Sequence, residues 1–333
     1  MKAIVRNTYG SPDVLELQEV EKPDFADDGV LVRVRAASVN RGDWYSLTGT
    51  PYVARMQVGL LKPKTNRLGV DFAGTVEAVG RDVTQFRPGD EVFGGRSSGA
   101  FAEYVCVRVA APLSRRFQSF IVAPKPANLT FEQAAAVPVA ALTALQGLRD
   151  KGQIQLGQQV LINGASGGVG TFAVQIAKAL GAEVTAVCST RNVELVRSLG
   201  ADHVIDYTRE DFTRSNQRYD LMLDVAGSRS WSECRRILNP QATLVIVGAP
   251  KGKAMIGPLS HIVKVRLAAL RSSQKVVFFV AKFKKPDMEV LRELLEVGKV
   301  RPVIDRSYEL SEIADALQYM GEGNAQGKIV ITV

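Results

Sequence analysis

The run Val160-Leu161-Ile162-Asn163-Gly164-Ala165-Ser166-Gly167-Gly168-Val169-Gly170 passes from a strand-like apolar segment into an apolar helical one. It fits A-x-G-x-x-G, with Ala165 in the place of the first glycine and Gly167 and Gly170 in the second and third. Gly167 lets the backbone approach a pyrophosphate, and Gly170 lets the helix pack closely on the strand. The unpaired N–H groups and positive dipole at the helix start favour an anion. Ala165, Ser166, Gly167, Gly168, Val169 and Gly170 are therefore the candidate dinucleotide loop.

About 20 residues later, an NAD-preferring enzyme would place Asp or Glu on the ribose hydroxyl. Here the next strand ends Ala186-Val187-Cys188-Ser189-Thr190-Arg191-Asn192, with no carboxylate. Two hydroxyls and a guanidinium suit a 2′-phosphate, because a dianion takes charge-assisted bonds from Arg and is repelled by Asp. Cys188, Ser189, Thr190 and Arg191 join the cofactor candidates, and NADPH is favoured over NADH. The alternative, that Ser189 or Thr190 only caps the helix of residues 192–199, leaves Arg191 unaccounted for.

The elements that must hold this loop follow from the patterning. Residues 1 to about 120 are short apolar runs (AIV, VLEL, VLVRVRA, FAGTVEAVG, EVFG, FAEYVCV) separated by turns, which predicts a mainly β domain. After Pro124–Pro126 comes the Ala- and Leu-rich stretch FEQAAAVPVAALTALQGL, a helix that Thr130 could cap. From Gln159 the rhythm is strand, helix, strand, with continuous apolar strands, which implies a parallel sheet covered on both faces. The carboxyl end reads as two helices and a strand. The length of 333 residues, 46% of them hydrophobic, suits a globular protein of two domains.

Lys and Arg number 42 against 34 Asp and Glu, a net charge of +8, yet the excess is local. From Cys234 to Pro286 there are eleven basic residues and no acidic one, so the rest of the chain carries −3. A general nucleic-acid-binding reading is weakened, and DNA is not expected as a partner. Three cysteines without a CxxC pair do not make a disulfide framework or a four-thiolate zinc site. With no signal-peptide pattern in MKAIVRNTYG and no apolar run of the roughly 18 residues a span needs, a cytoplasmic protein is expected.

The order of these segments resembles the medium-chain dehydrogenase/reductase superfamily, most closely its zinc-independent quinone oxidoreductase branch. The motifs are Gly69-Val70-Asp71-Phe72-Ala73-Gly74, Pro88-Gly89-Asp90-Glu91-Val92, Gly99-Ala100-Phe101-Ala102-Glu103-Tyr104, Ala136-Val137-Pro138 with Ala141-Leu142-Thr143-Ala144, Asn163 to Gly170, Gly200-Ala201-Asp202-His203-Val204-Ile205-Asp206-Tyr207 and Gly327-Lys328-Ile329-Val330. The resemblance implies an α/β protein with a Rossmann-type doubly wound parallel sheet domain, residues 124–275. A GroES-like mainly β substrate domain would be built from residues 1–123 and 276–333.

The same superfamily includes alcohol dehydrogenases that hold zinc through a Cys after an early strand and a His in Gly-His-Glu. Asn40 and Val70 stand at those positions here, and Asp71 stands for the Glu. The only histidines are His203 and His261, so no metal site is expected. Without a Lewis acid, an electron-poor acceptor is the easier substrate, since hydrogen bonds can stabilise the charge that develops on its oxygen. Asn40 is the candidate for orienting acceptor or cofactor, and Tyr45 and Tyr52 for closing the pocket or donating a proton. Asp43 reads as a helix cap. By resemblance Tyr207 lies near the adenine or ribose, Thr143, Phe278, Phe279 and Lys328 lie near the nicotinamide end or its phosphates, and Gly248 is a further cofactor candidate.

If residues 256–275 are helical, Ile256, Leu259, Ile262, Val263, Leu267 and Leu270 share one side, and Lys264, Arg271 and Lys275 another. Such a helix can touch a membrane surface, border the substrate cleft, or be an ordinary half-buried helix. Residues 50–68 look like an insert that could cover the substrate, and residues 112–123 like a lengthened connection. The expectation is an NADPH-dependent, zinc-independent reductase of a quinone or α,β-unsaturated carbonyl, with a homodimer through strand edges near 243–247 and 276–279. A carbonyl or alcohol oxidoreductase with another acceptor, or an RNA- or membrane-associated binding protein keeping the NADPH fold, are the alternatives.

Overall fold

Alternation of buried valines with exposed arginines builds the first half of the chain into strands. In β3 (Gly29–Val39), for example, Val32 and Val34 face the core while Arg33 and Arg35 face water. The computed structural model describes residues 1–52, 55–96, 98–109, 120–248 and 257–333. Along the chain come β1 (Lys2–Val5), β2 (Glu16–Glu19), β3, α1 (Arg41–Thr48), α2 (Arg55–Val58), β4 (Asp71–Val79), β5 (Glu91–Arg96), β6 (Tyr104–Arg108) and β7 (Phe120–Pro124). Then follow α3 (Phe131–Ala135), α4 (Pro138–Leu145), β8 (Gln159–Asn163), α5 (Gly168–Ala179), β9 (Glu183–Cys188), α6 (Val193–Ser198), β10 (His203–Asp206), β11 (Tyr219–Asp224), α7 (Trp231–Arg236), β12 (Leu238–Ile246), α8 (Gly257–Ala269) and β13 (Lys275–Phe278). The chain closes with α9 (Lys285–Glu296), β14 (Ile304–Glu309), α10 (Ile313–Glu322) and β15 (Lys328–Thr332).

These elements fall into two units. One comprises Met1–Leu142, Lys282–Val297 and Pro302–Val333; the other comprises Thr143–Ala281 and Gly298–Arg301. Residues 124–142, placed by the sequence in the Rossmann domain, thus lie in the first unit, and residues 276–281 lie in the second. The expected long connection at 112–123 falls mostly outside the described residues.

The first unit is a seven-stranded sheet in the order β14-β15-β3-β4-β5-β7, with β6 also on β3. The pairings are antiparallel except β14 with β15. One core gathers Val30, Val32, Val34, Phe72, Val76, Val92, Val105 and Val107. A second packs Ile329 and Ile331 of β15 with Val39, Leu47 of α1 and Ile313, Ala316 and Leu317 of α10. β14 is the strand the sequence reading missed: IDRSYE is mostly polar, as suits an outermost strand, and lacks clean alternation.

The second unit is a six-stranded, all-parallel sheet in the order β10-β9-β8-β11-β12-β13. Val160, Leu161 and Ile162 of β8 and Leu221, Met222 and Leu223 of β11 are fully buried, as strands covered on both faces must be. The chain runs outward from β8 through β9 to β10 and then returns to β11 on the other side of β8. That reversal opens a crevice at the carboxyl ends of β8 and β11, where such sheets bind ligands.

Thr130 caps α3 as expected: its Oγ1 accepts from Gln133 N at 3.2 Å, and Gln133 Oε1 accepts from Thr130 N at 3.0 Å. The helix predicted beyond it is broken, because Pro138 cannot donate to the preceding turn and starts a new helix. α8 also differs. Ile262, Val265 and Ala269 face the core, whereas Val263, Leu267 and Leu270 are exposed, so the predicted single apolar face is split in two. Ile256 lies outside the described residues.

Candidate active site and cofactor site

At the end of β8 the loop turns sharply on Gly164, whose φ of +86° favours glycine. Gly164 N and Ala165 N both donate to Val187 O of β9, at 3.2 and 3.0 Å. Beneath the turn, Asn163 Nδ2 and Gly227 N donate to Asp224 Oδ1, each at 2.8 Å, so a buried carboxylate clamps β8 to β11. Burial raises the pKa of that carboxylate. Asn163 was visible as a motif residue but its pairing with Asp224 was not, because a strand-end Asn and a strand-end Asp 61 residues apart carry no local signal.

The loop glycines separate by task. A Cβ on Gly170 would overlap Gly164 O and the backbone of Ala165, so glycine is required there by helix packing. A Cβ on Gly167 would meet only Gly164 O at 3.7 Å, and its φ of −82° is ordinary. The fold itself tolerates a side chain at Gly167; what glycine leaves is room above the start of α5, a twelve-residue helix. Ala165 is fully buried, and Ser166, Gly168 and Val169 are partly exposed around the same turn.

The tail of β9 is less uniform than its sequence. Cys188 is buried, with its thiol pushed up to about 11 by that burial; its backbone O accepts from Tyr207 N at 3.0 Å. Thr190 Oγ1 donates to Asp206 Oδ2 at 2.5 Å, so its single proton is already used. Ser189 stands before the one-turn helix Thr190–Asn192 but makes no capping bond with its side chain. Arg191 and Tyr207 are exposed. Gly248 lies two residues beyond β12 against Val225, whose O a Cβ there would overlap. Phe278 is partly buried on β13, packed against the core, and Phe279 follows it beside Gly147. Thr143 is half-buried on α4.

In the first unit, Asn40 begins α1 and is buried. Its Nδ2 donates to Asp71 Oδ2 at 2.9 Å, and its Oδ1 accepts from Lys328 Nζ at 2.6 Å. Lys328 Nζ also donates to Val39 O at 3.1 Å and lies 3.6 Å from Asp71 Oδ2. Asp71 further accepts from Ser38 Oγ at 3.1 Å and, through Oδ1, from Val139 N at 3.1 Å. Asp43 Oδ2 accepts from Asn40 N at 2.8 Å, a capping bond. Burial pushes the Asp43 carboxyl up to about 7, raises Asp71 and lowers Lys328. Lys328 is thus an internal cation of this unit, although the resemblance had pointed it toward the cofactor. Tyr45 is half-buried under Arg41, and Tyr52 is exposed with Arg55 over its ring at 4.6 Å.

A doubly wound parallel sheet with a glycine turn at its switch point, in a chain whose other unit is a β unit carrying a buried polar cluster, defines a dinucleotide-dependent oxidoreductase class. The alcohol dehydrogenase GroES-like domain family matches residues 26–114, and the zinc-binding dehydrogenase family matches residues 199–331. A Mus musculus protein, "NAD(P)H oxidoreductase RTN4IP1, mitochondrial", is 36% identical over 365 residues, covering 100% of this chain and 89% of that one. The Arabidopsis thaliana "NADPH-dependent alkenal/one oxidoreductase, chloroplastic" is 32% identical, covering 99% and 79%. Among solved structures, the quinone oxidoreductase from Coxiella burnetii superposes with a TM-score of 0.85 at 30% identity, covering 100% and 99%. The chain belongs to the medium-chain dehydrogenase/reductase superfamily, in its zinc-independent quinone oxidoreductase branch.

Zinc does not fit the residues present. Among the described residues no group of three or more His, Cys, Asp or Glu could hold a metal ion. Of the two positions that hold zinc in the zinc enzymes, Val70 offers no donor atom and Asn40, with the neighbouring Asp71, already faces a cation, the Lys328 ammonium. A divalent ion there would meet that ammonium at close range, a repulsion that buried surroundings do little to screen.

Proposed function

We propose that this chain reduces a quinone or an α,β-unsaturated carbonyl with NADPH and without zinc. The observation that carries the reading is the open space above Gly167 at the start of α5, next to Ser166, which Asn192 links to Ser189, with Arg191 following in sequence and no carboxylate at the end of β9. Bound there, NADPH supplies the hydride. The loop amides and the α5 dipole would hold its pyrophosphate, and the hydroxyls and Arg191 its 2′-phosphate. Tyr207 lines the adenine or ribose end in this reading, and Thr143, Gly248, Phe278 and Phe279 the nicotinamide side.

Asn40, locked by Asp71 and Lys328, contributes a fixed position rather than a mobile amide. Tyr52 or Tyr45 supplies the hydroxyl that donates to the acceptor oxygen as charge develops on it. The partner is a small electron-poor acceptor, which accords with relatives described as alkenal/one and quinone oxidoreductases.

The outer edge of β13 and the exposed stripe Val263, Leu267 and Leu270 beside Lys264 and Arg271 support a contact surface. We assign it to a second copy of the chain. Flotation with anionic vesicles and a monomeric mass in solution would instead assign the surface to a membrane. A cytoplasmic location rests on the three free cysteines. The test of the activity is NADPH oxidation against quinones, enones and simple aldehydes, with NADH in parallel. Turnover with the first two classes is expected; binding of NADPH with no acceptor consumed would overturn the reading.

A further inference from the structure

Asn192 precedes α6 as its N-cap and is only 4% exposed. An Asn in that place ordinarily accepts from an amide of the first helical turn, a bond worth about 1 kcal/mol. Here the side chain makes no capping bond. Its Nδ2 points instead to two serines, donating to Ser166 Oγ at 2.9 Å and to Ser189 Oγ at 3.2 Å. One amide therefore joins the glycine turn after β8 to the tail of β9, the two segments that flank the proposed cofactor.

The direction of these bonds matters. A hydroxyl has one proton and two lone pairs. Each serine oxygen accepts from Asn192, and neither hydroxyl donates to a protein group among the described residues. Both O–H protons are thus left for a ligand. Asn192 Oδ1 is itself buried with no partner among the described residues, so the amide is held by its two Nδ2 bonds alone.

We infer that Asn192 is a specificity-determining positioning residue that makes Ser166 and Ser189 paired donors for the 2′-phosphate of NADPH. The inference rests on the reading that the β8–α5 loop holds this cofactor. A phosphate dianion only accepts, so it gains from both protons. The ribose 2′-hydroxyl of NADH can donate as well as accept and depends less on their direction.

The test uses the full chain and two probes without nicotinamide, 2′,5′-ADP and 5′-AMP, which differ by the 2′-phosphate, with affinities measured by calorimetry. Wild type should bind 2′,5′-ADP more tightly. Asn192→Leu should lose about tenfold of that affinity while 5′-AMP changes less than about twofold, the expected effect of misdirecting a charge-assisted bond. Asn192→Asp, which only accepts and carries charge, should bring 2′,5′-ADP below 5′-AMP. Should Asn192→Leu not fold, Ser166→Ala with Ser189→Ala asks the same question on partly exposed side chains and should erase the same discrimination. If wild type discriminates and either replacement discriminates equally, the inference fails while the cofactor reading stands. A wild type blind to the 2′-phosphate overturns both.

Discussion

The two polar clusters differ in whether their bonds close. Around Asn40, Asp71 and Lys328 the side chains satisfy one another inside the first unit: an ammonium against an amide oxygen and a carboxylate, an amide nitrogen against the same carboxylate. Around Ser166, Ser189 and Asn192 in the second unit, the bonds run one way and leave the two hydroxyl protons without a protein acceptor among the described residues. A closed cluster of charges holds backbone segments in place, here the ends of β3, the start of β4, the start of β15 and the start of α4. An open cluster is prepared for something not yet bound. Site residues can therefore be sorted by the direction of their hydrogen bonds more surely than by type, since Asn40 and Asn192 are the same amide in opposite situations.

The largest expected effect breaks the closed cluster. Lys328→Met leaves two buried carboxyls without their cation and should cost about 3–5 kcal/mol in urea unfolding. Adding Asp71→Asn should recover part of that loss; no recovery at all would mean the pair is not coupled as described.

Gly167→Ala sharpens the contrast from the other side. Unfolding should move by no more than about 0.5 kcal/mol, the range of changes that touch no packed feature. NADPH binding should nonetheless weaken about tenfold or more, because the methyl stands where the pyrophosphate approaches. Gly170→Ala, whose Cβ would overlap the loop backbone, should lower both stability and binding. Arg191→Ala should weaken NADPH about tenfold, the scale of one charge-assisted bond, with NADH unchanged in parallel titrations.

A remaining effect is in pH dependence. Folded Asp43 keeps its proton up to about pH 7, whereas an unfolded Asp loses it near pH 4. Between those values the folded chain binds more protons, so this group's contribution is present below about pH 4 and declines as pH rises toward 7. Asp43→Asn should flatten that part of the stability profile, measured by thermal unfolding across the window.

Much of this was legible from residues alone. Apolar continuity marked the buried parallel strands, the glycine spacing marked the β8–α5 turn, and Thr130 marked a helix start, because each signal sits within a few residues. What escaped depends on distant partners or on exposure. Asp71 and Lys328 were visible as motif residues, but not as partners of Asn40 from 31 and 288 residues away. Asn192 was placed at the start of a helix that Ser189 or Thr190 could cap, and only the fold shows its amide turned to Ser166. β14 was hidden by its polar sequence, and the split of α8 arises because helical periodicity cannot say which of two apolar stripes finds a partner.

The cation beside Asn40 and Asp71 is Lys328, and reduction by NADPH needs no metal there. The direct measurement is steady-state quinone reduction by NADPH in enzyme freed of metal by exhaustive chelation, with bound metal quantified before and after. The account predicts undiminished turnover and no stoichiometric zinc at either stage. Activity lost on chelation and restored by one equivalent of zinc would contradict it.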